Sequence, residues 1–152
     1  MQPYIEEIRL HQYRNLEQVQ LKVERAPIVL TGSNGAGKTN ILEAISYFSP
    51  GRGMRGEPLQ MLSQQKETMR LPWAAHVKVN RQGHVNEIGM GQDPTSEKDK
   101  RLIRIDGTKA GTQKKLAELL NIIWITPSMD RLLTDGTTDR RRFLDRCVYG
   151  ID

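Results

Sequence analysis

One cysteine, Cys147, stands in 152 residues, which excludes an internal disulfide and any zinc cluster built on cysteine thiolates. No apolar run approaches the length of a membrane-spanning helix. Residues 1–10 carry Glu6 and Glu7 rather than the apolar core of a secretory leader. Internal repeats, low-complexity tracts and sustained heptads are missing as well. The expected setting is cytoplasmic, with no membrane partner. At 37% apolar and 27% charged residues the composition is that of a soluble globular protein, long enough for one domain with a sizeable core. The formal charge of +5 permits nucleic-acid contact without demanding it. Its basic residues stand in small groups: Arg52 and Arg55, residues 98–101, Lys114-Lys115, and Arg140-Arg141-Arg142. A charge run is as often a solvated face, so charge decides little here.

What is present is one complete motif. Gly32-Ser33-Asn34-Gly35-Ala36-Gly37-Lys38-Thr39 fits the phosphate-binding pattern G-x-x-x-x-G-K-S/T. The apolar run Ile28-Val29-Leu30 before it reads as a buried parallel strand. Ile41, Leu42, Ile45 and Phe48 after it read as the apolar stripe of a helix. Glycines let the backbone turn sharply and approach a polyphosphate closely. Free N–H groups of the loop and of the helix start then face the phosphate oxygens, aided by the helix dipole. In this arrangement Lys38 reaches the β/γ-phosphates, and the Thr39 hydroxyl is the expected Mg²⁺ ligand.

Around this motif the chain alternates strands and helices. Residues 8–10 and 19–23 read as half-exposed antiparallel strands. The intervening Gln12-Tyr13-Arg14-Asn15-Leu16 looks too long for a two-residue turn. The helix after the loop should stop at Ser49-Pro50-Gly51, and residues 52–58 read as a surface loop. A short helix is expected near Leu59, Met61 and Leu62. Strands follow at residues 73–79 and 85–88 about a turn at residues 80–83, then an exposed mobile loop at 93–100. A helix at residues 113–120 buries Leu116, Leu119 and Leu120. Ile122-Ile123-Trp124-Ile125 reads as a second buried strand. A last helix starts near Thr137 or Thr138, with Phe143, Leu144, Cys147 and Val148 on one face.

Hydrolysis at such a loop needs a carboxylate that holds Mg²⁺ and a group that orients the attacking water. Asp106 ends an apolar segment, but Arg104 interrupts the run and Asp106-Gly107 is a favoured turn pair, so the segment reads as a hairpin strand. No carboxylate directly follows Ile125. The reading is therefore the front part of a longer ATPase, cut after Asp152, with no catalytic residue of its own.

Ile8-Arg9-Leu10 with Tyr13-Arg14-Asn15-Leu16, followed by the phosphate loop and Asn40-Ile41-Leu42-Glu43-Ala44-Ile45, resembles the opening of the RecF family of bacterial recombinational repair ATPases. Gly51-Arg52-Gly53-Met54-Arg55, Ile105-Asp106-Gly107, residues 116–125, Thr126-Pro127 and Arg140-Arg141-Arg142-Phe143-Leu144-Asp145 extend the resemblance over nearly the whole chain. It implies an α/β P-loop NTPase fold of the ABC/SMC-head type, a mixed sheet with antiparallel N-terminal strands, and the first lobe only. It also implies that residues 1–152 are an ATP-binding lobe without the signature motif and Walker B pair. Arg14 is similar to the arginine that SMC-like heads bring to the nucleotide phosphates, with a surface salt bridge as the plainer alternative. Thr126-Pro127-Ser128 sits where ABC ATPases place the glutamine of the Q-loop, and no glutamine stands there. The resemblance further implies ATP and Mg²⁺ as cofactors and ATP-dependent homodimerisation of a full-length protein. It implies binding to single-stranded or gapped duplex DNA, and RecR and RecO as partners. The competing readings are a head fragment of another SMC-type ATPase, a small P-loop kinase, and a DNA-binding module with a vestigial loop.

Overall fold

A computed structural model describes residues 2–66, 69–93, 100–110, 114–127, 129 and 137–148. Its frame is a six-stranded sheet. Strands β1 (Tyr4–Tyr13) and β2 (Leu16–Lys22) form a hairpin. A two-stranded ribbon, β3 (Gln65–Lys66) and β4 (Met69–Arg70), stands apart from the sheet. Strands β5 (Ala74–Arg81), β6 (His84–Gln92), β7 (Arg101–Ile105) and β8 (Thr108–Lys109) then run as successive hairpins. The order across the sheet is β2-β1-β5-β6-β7-β8, and all of its pairings among the described residues are antiparallel. The step from β2 to β5 carries the phosphate loop, helix α1 (Lys38–Ser46) and a 3₁₀ turn, Leu59–Leu62.

Period-two patterning decides the faces. Ile8 and Leu10 of β1, Ala75, Val77 and Val79 of β5, Ile88 and Met90 of β6, and Ile103 of β7 are buried in one core. Ala44 of α1, Tyr47 and Phe48 just after it, and Leu59 and Leu62 of the 3₁₀ turn share that core. So do Leu116 of α2 (Lys114–Leu119) and Leu120. Tyr13 and Trp73 meet edge to face there, ring centres 5.7 Å apart. The opposite face is polar, with Glu7, Arg9 and Gln20 joined by hydrogen bonds and Lys78 beside Glu7.

Three expectations change. The β1–β2 connection is tight: Tyr13 pairs with Leu16, leaving the two-residue turn Arg14-Asn15, with Arg14 at φ 51°. Counting from residue 12 overlooked that strand pairing continues through Tyr13. Residues 28–30 form no strand, and Ile28 and Val29 are exposed, the latter at 81%. Residues 122–125 form no strand either, with Ile123 and Ile125 exposed. An apolar run becomes a buried parallel strand only between neighbours that pair with it and layers that cover both faces. The described residues supply neither, and every described pairing of the six-stranded sheet is antiparallel.

In α1 the buried side chains are Glu43, Ala44 and Ser46, while Leu42 is exposed, so the core-facing stripe is rotated from the one expected. The turn at Gln82-Gly83, the hairpin at Asp106-Gly107 and the helix holding Leu116 stand where the residues placed them. The last helix, α3 (Thr137–Val148), forms with Leu144 and Val148 exposed. Most of the loop at 93–100, together with Ser128, lies outside the described residues. Among those described, no helix is long and apolar enough to cross a membrane.

Candidate phosphate-binding site

The phosphate loop is an exposed arch over residues 32–36 that dives at Gly37 into the start of α1. Gly37 is the N-cap of that helix, at φ 95°, and no side chain caps the helix. Its first N–H groups therefore keep their capacity for an anion, reinforced by the dipole. A side chain at Gly37 would meet both a strained backbone and a close neighbour. A Cβ there would stand 2.5 Å from Leu16 Cδ2 and 3.3 Å from Asn15 Oδ1, so the loop is pressed onto the β1–β2 turn. Lys38 folds back over the arch, its Nζ donating to the carbonyls of Gly32 and Ser33 at 2.7 Å each. These are neutral acceptors, and a phosphate oxygen is a stronger one for an ammonium. Thr39, in the first turn of α1, is exposed and unencumbered by the core.

Behind the arch lies a polar buttress. Asn15 Nδ2 donates to the Gly35 carbonyl at 2.8 Å, and Asn15 Oδ1 accepts from Asn40 Nδ2 at 2.7 Å. Glu43, the one acid in α1, is fully buried. Arg14 holds it through Nε at 2.5 Å and Nη2 at 2.6 Å, and Arg55 adds Nη1 at 3.1 Å. The bond to Glu43 raises the Arg14 pKa above its ordinary value. A buried carboxylate is tolerable only when paired in this way.

At the far end of α1, Arg101 Nη1 donates to the Tyr47 carbonyl at 2.5 Å, and its Nη2 to that of Gly51. Its guanidinium lies 5.4 Å from the Tyr47 ring centre. Burial lowers the Arg101 pKa, and burial raises that of the Tyr47 hydroxyl to about 12. Positive charge at a helix C-terminus meets the free carbonyls there.

This assembly of hairpin, glycine arch and following helix matches a known family model, RecF/RecN/SMC N terminal domain, over residues 4–129. The chain belongs to the RecF/RecN/SMC N-terminal domain family. It is 38% identical over 153 residues to the DNA replication and repair protein RecF of Rhizobium rhizogenes. It is 40% identical over 149 residues to that of Rhizobium meliloti. Each match takes in 98% of this chain and 39% of the relative, so the chain spans about two fifths of those proteins' length. Two solved structures of the recombination mediator protein RecF in the RecFOR pathway, RecF-ATPrS and RecF-ATP, superpose with TM-scores of 0.84 and 0.81 at 25% and 26% identity. Both matches cover 99% of this chain, with 39% and 40% of the RecF chains. A structure from work on ATP-driven dimerisation of SMC ATPases shares the fold, with a TM-score of 0.71 at 18% identity over 95% of this chain and 99% of that one.

Within this family fold, Gly32, Ser33, Asn34, Gly35, Ala36, Gly37, Lys38 and Thr39 form one continuous element. Arg14 lies next to it in the turn that supports the loop, with its guanidinium on Glu43. Asn15, Asn40, Glu43 and Arg55 were not singled out as site residues from sequence. The available signal was the lone acid of α1, with Arg14 in the β1–β2 turn before the phosphate loop and Arg55 in the loop after the helix. Asp106 is turned to structural use: it accepts from the Glu87 N–H at 2.7 Å and Asn86 Nδ2 at 2.8 Å, and that backbone bond lowers its pKa. Among the described residues no cluster of three or more His, Cys, Asp or Glu could hold a metal.

Proposed function

We propose that residues 32–39 bind the polyphosphate of ATP, with Lys38 on the terminal phosphates and Thr39 as the protein's ligand to Mg²⁺. The observation that carries this reading is the arch itself, an exposed glycine loop entering an uncapped helix N-terminus with a lysine already folded over it. Bound Mg²⁺ would offset part of the phosphate charge, with Thr39 as the residue that would hold it. The Thr39 hydroxyl, exposed in the first turn, suits a metal that takes one protein oxygen and fills its other positions with phosphate and water.

In this reading residues 1–152 are the N-terminal ATP-binding lobe of a RecF-like DNA replication and repair protein. The signature motif and Walker B carboxylate belong to the part of the relatives that this chain does not span. Full-length function would be ATP-dependent homodimerisation on single-stranded or gapped DNA in the cytoplasm, with RecR and RecO as partners, helping to load recombinase at gaps. The names of the relatives, and the nucleotide named with the two RecF structures, support the RecF-like and ATP-binding parts of that reading. Arg14 would serve the nucleotide indirectly, by locking the turn beneath the loop, or directly after release from Glu43.

The deciding experiment is calorimetric titration of the chain with MgATP, beside Lys38→Ala. Weak binding abolished by the substitution is expected, with no ATP turnover. Affinity indifferent to Lys38→Ala would refute the site, and hydrolysis dependent on Lys38 would refute the division of labour.

A further inference from the structure

The Asn15 side-chain amide is used at both ends, donating to Gly35 O and accepting from Asn40 Nδ2. Asn40 Oδ1 in turn accepts from Arg55 Nη1 at 3.0 Å. A guanidinium can only donate. Arg55 therefore decides which end of the Asn40 amide faces it, Asn40 decides the same for Asn15, and Asn15 is left with a donor toward the loop. The relay has one sense, from Arg55 to Gly35. It is anchored as well, because Arg55 and Arg14, the neighbour of Asn15, hold the same buried Glu43 carboxylate. Turn, helix and the 51–57 loop thus close a ring beneath the arch.

Gly35 sits at φ 82° with nothing within 4 Å of the place a Cβ would take, so no side chain of its own can fix the peptide that follows it. The bond from Asn15 does so. In a trans peptide the N–H points opposite to the carbonyl. A Gly35 carbonyl tied to Asn15 therefore turns the Ala36 N–H into the arch, where it makes only a long 3.3 Å bond to Ser33 O. Such a bond is easily exchanged for one to an anionic oxygen.

We infer that Asn15 is a positioning residue for the phosphate loop, orienting the Gly35–Ala36 peptide toward phosphate in the sense that Arg55 imposes through Asn40. Its consequence for affinity rests on the nucleotide reading above; the relay itself does not.

The test is amide NMR of the 152-residue chain with Asn15→Leu, Arg55→Met and Arg55→Lys, followed by MgATP titration. Leucine keeps the branching and heavy-atom count of asparagine, removes both its donor and its acceptor, and adds no charge. The Ala36 amide resonance and the Asn40 side-chain NH₂ pair are expected to move in Arg55→Met, while amides of β5 and β6 stay. Lysine, also a pure donor, should restore them. Asn15→Leu should move the Ala36 amide and weaken MgATP about three- to tenfold, the loss of one net hydrogen bond. An Ala36 amide indifferent to Arg55→Met, or moved as far by Arg55→Lys, overturns the relay even if Asn15→Leu fails to fold. Parental MgATP affinity in Asn15→Leu overturns the positioning role with the nucleotide site intact. No MgATP binding by the parent chain refutes the nucleotide reading instead, and the amide spectra still decide the relay.

Discussion

Arg14 and Glu43, 29 residues apart in sequence, meet as a two-point guanidinium–carboxylate pair at 2.5 and 2.6 Å, fastening the tip of the β1–β2 hairpin to the flank of α1. The pair joins the sheet to the helix that carries the phosphate loop, so its integrity sets where the loop stands.

Removing Glu43 tests this. Glu43→Ala strands the Arg14 guanidinium, which is only 21% exposed, and removes a partner from Arg55. Breaking a buried pair on one side costs about 3–5 kcal/mol. A urea midpoint lowered correspondingly is expected for Glu43→Ala. Glu43→Gln, which keeps the volume and one acceptor oxygen, should fall between it and the parent.

The two loop glycines should differ. Gly37→Ala meets a forbidden φ and the Leu16 side chain together, a backbone cost of about 1–2 kcal/mol added to an overpacking cost of about 1–3 kcal/mol. Gly35→Ala meets open space and should cost about 1–2 kcal/mol, from its dihedral alone. Thermal melts of the two variants give the comparison. Equal losses would mean that the Leu16 contact adds nothing.

Why some of this was legible from residues and some was not follows from where the information sits. The arch is local: glycines at 32, 35 and 37 and the Lys38-Thr39 pair carry their conformational demands in their own covalent structure. The hairpins at Gln82-Gly83 and Asp106-Gly107 were legible for the same reason. Glu43 was not, because its meaning depends on Arg14 and Arg55, brought to it by tertiary packing. The runs at 28–30 and 122–125 misled in the opposite direction. Apolar composition says that a segment would be buried among suitable neighbours, and the described residues do not provide them.

Glu7 predicts an acid-sensitive term. Hydrogen bonds from Arg9 and Gln20, with Lys78 nearby, lower its pKa from 4.5 to about 2. A carboxylate depressed in the fold stabilises it at pH values above the unfolded pKa, and that contribution fades as the pH falls from about 4.5 through 2. The parent chain should therefore lose urea resistance between pH 5 and 3 more steeply than Glu7→Gln, which has no proton to gain. Parallel pH profiles for the two would remove Glu7 from the account.

The last contrast uses one substitution in two places. Val77 is fully buried in the central strand β5, whereas Val29 is 81% exposed. Valine to threonine changes shape little and puts a hydroxyl where a methyl stood. At Val77 that hydroxyl enters an apolar core, at a cost of about 1–3 kcal/mol. At Val29 water already reaches the side chain, and the change should stay within about 0.5 kcal/mol. Denaturant titrations of Val77→Thr and Val29→Thr measure both. If Val29→Thr proved as damaging as Val77→Thr, the segment before the arch would be a covered strand in solution, as its composition suggests, and the exposed run described above would be wrong.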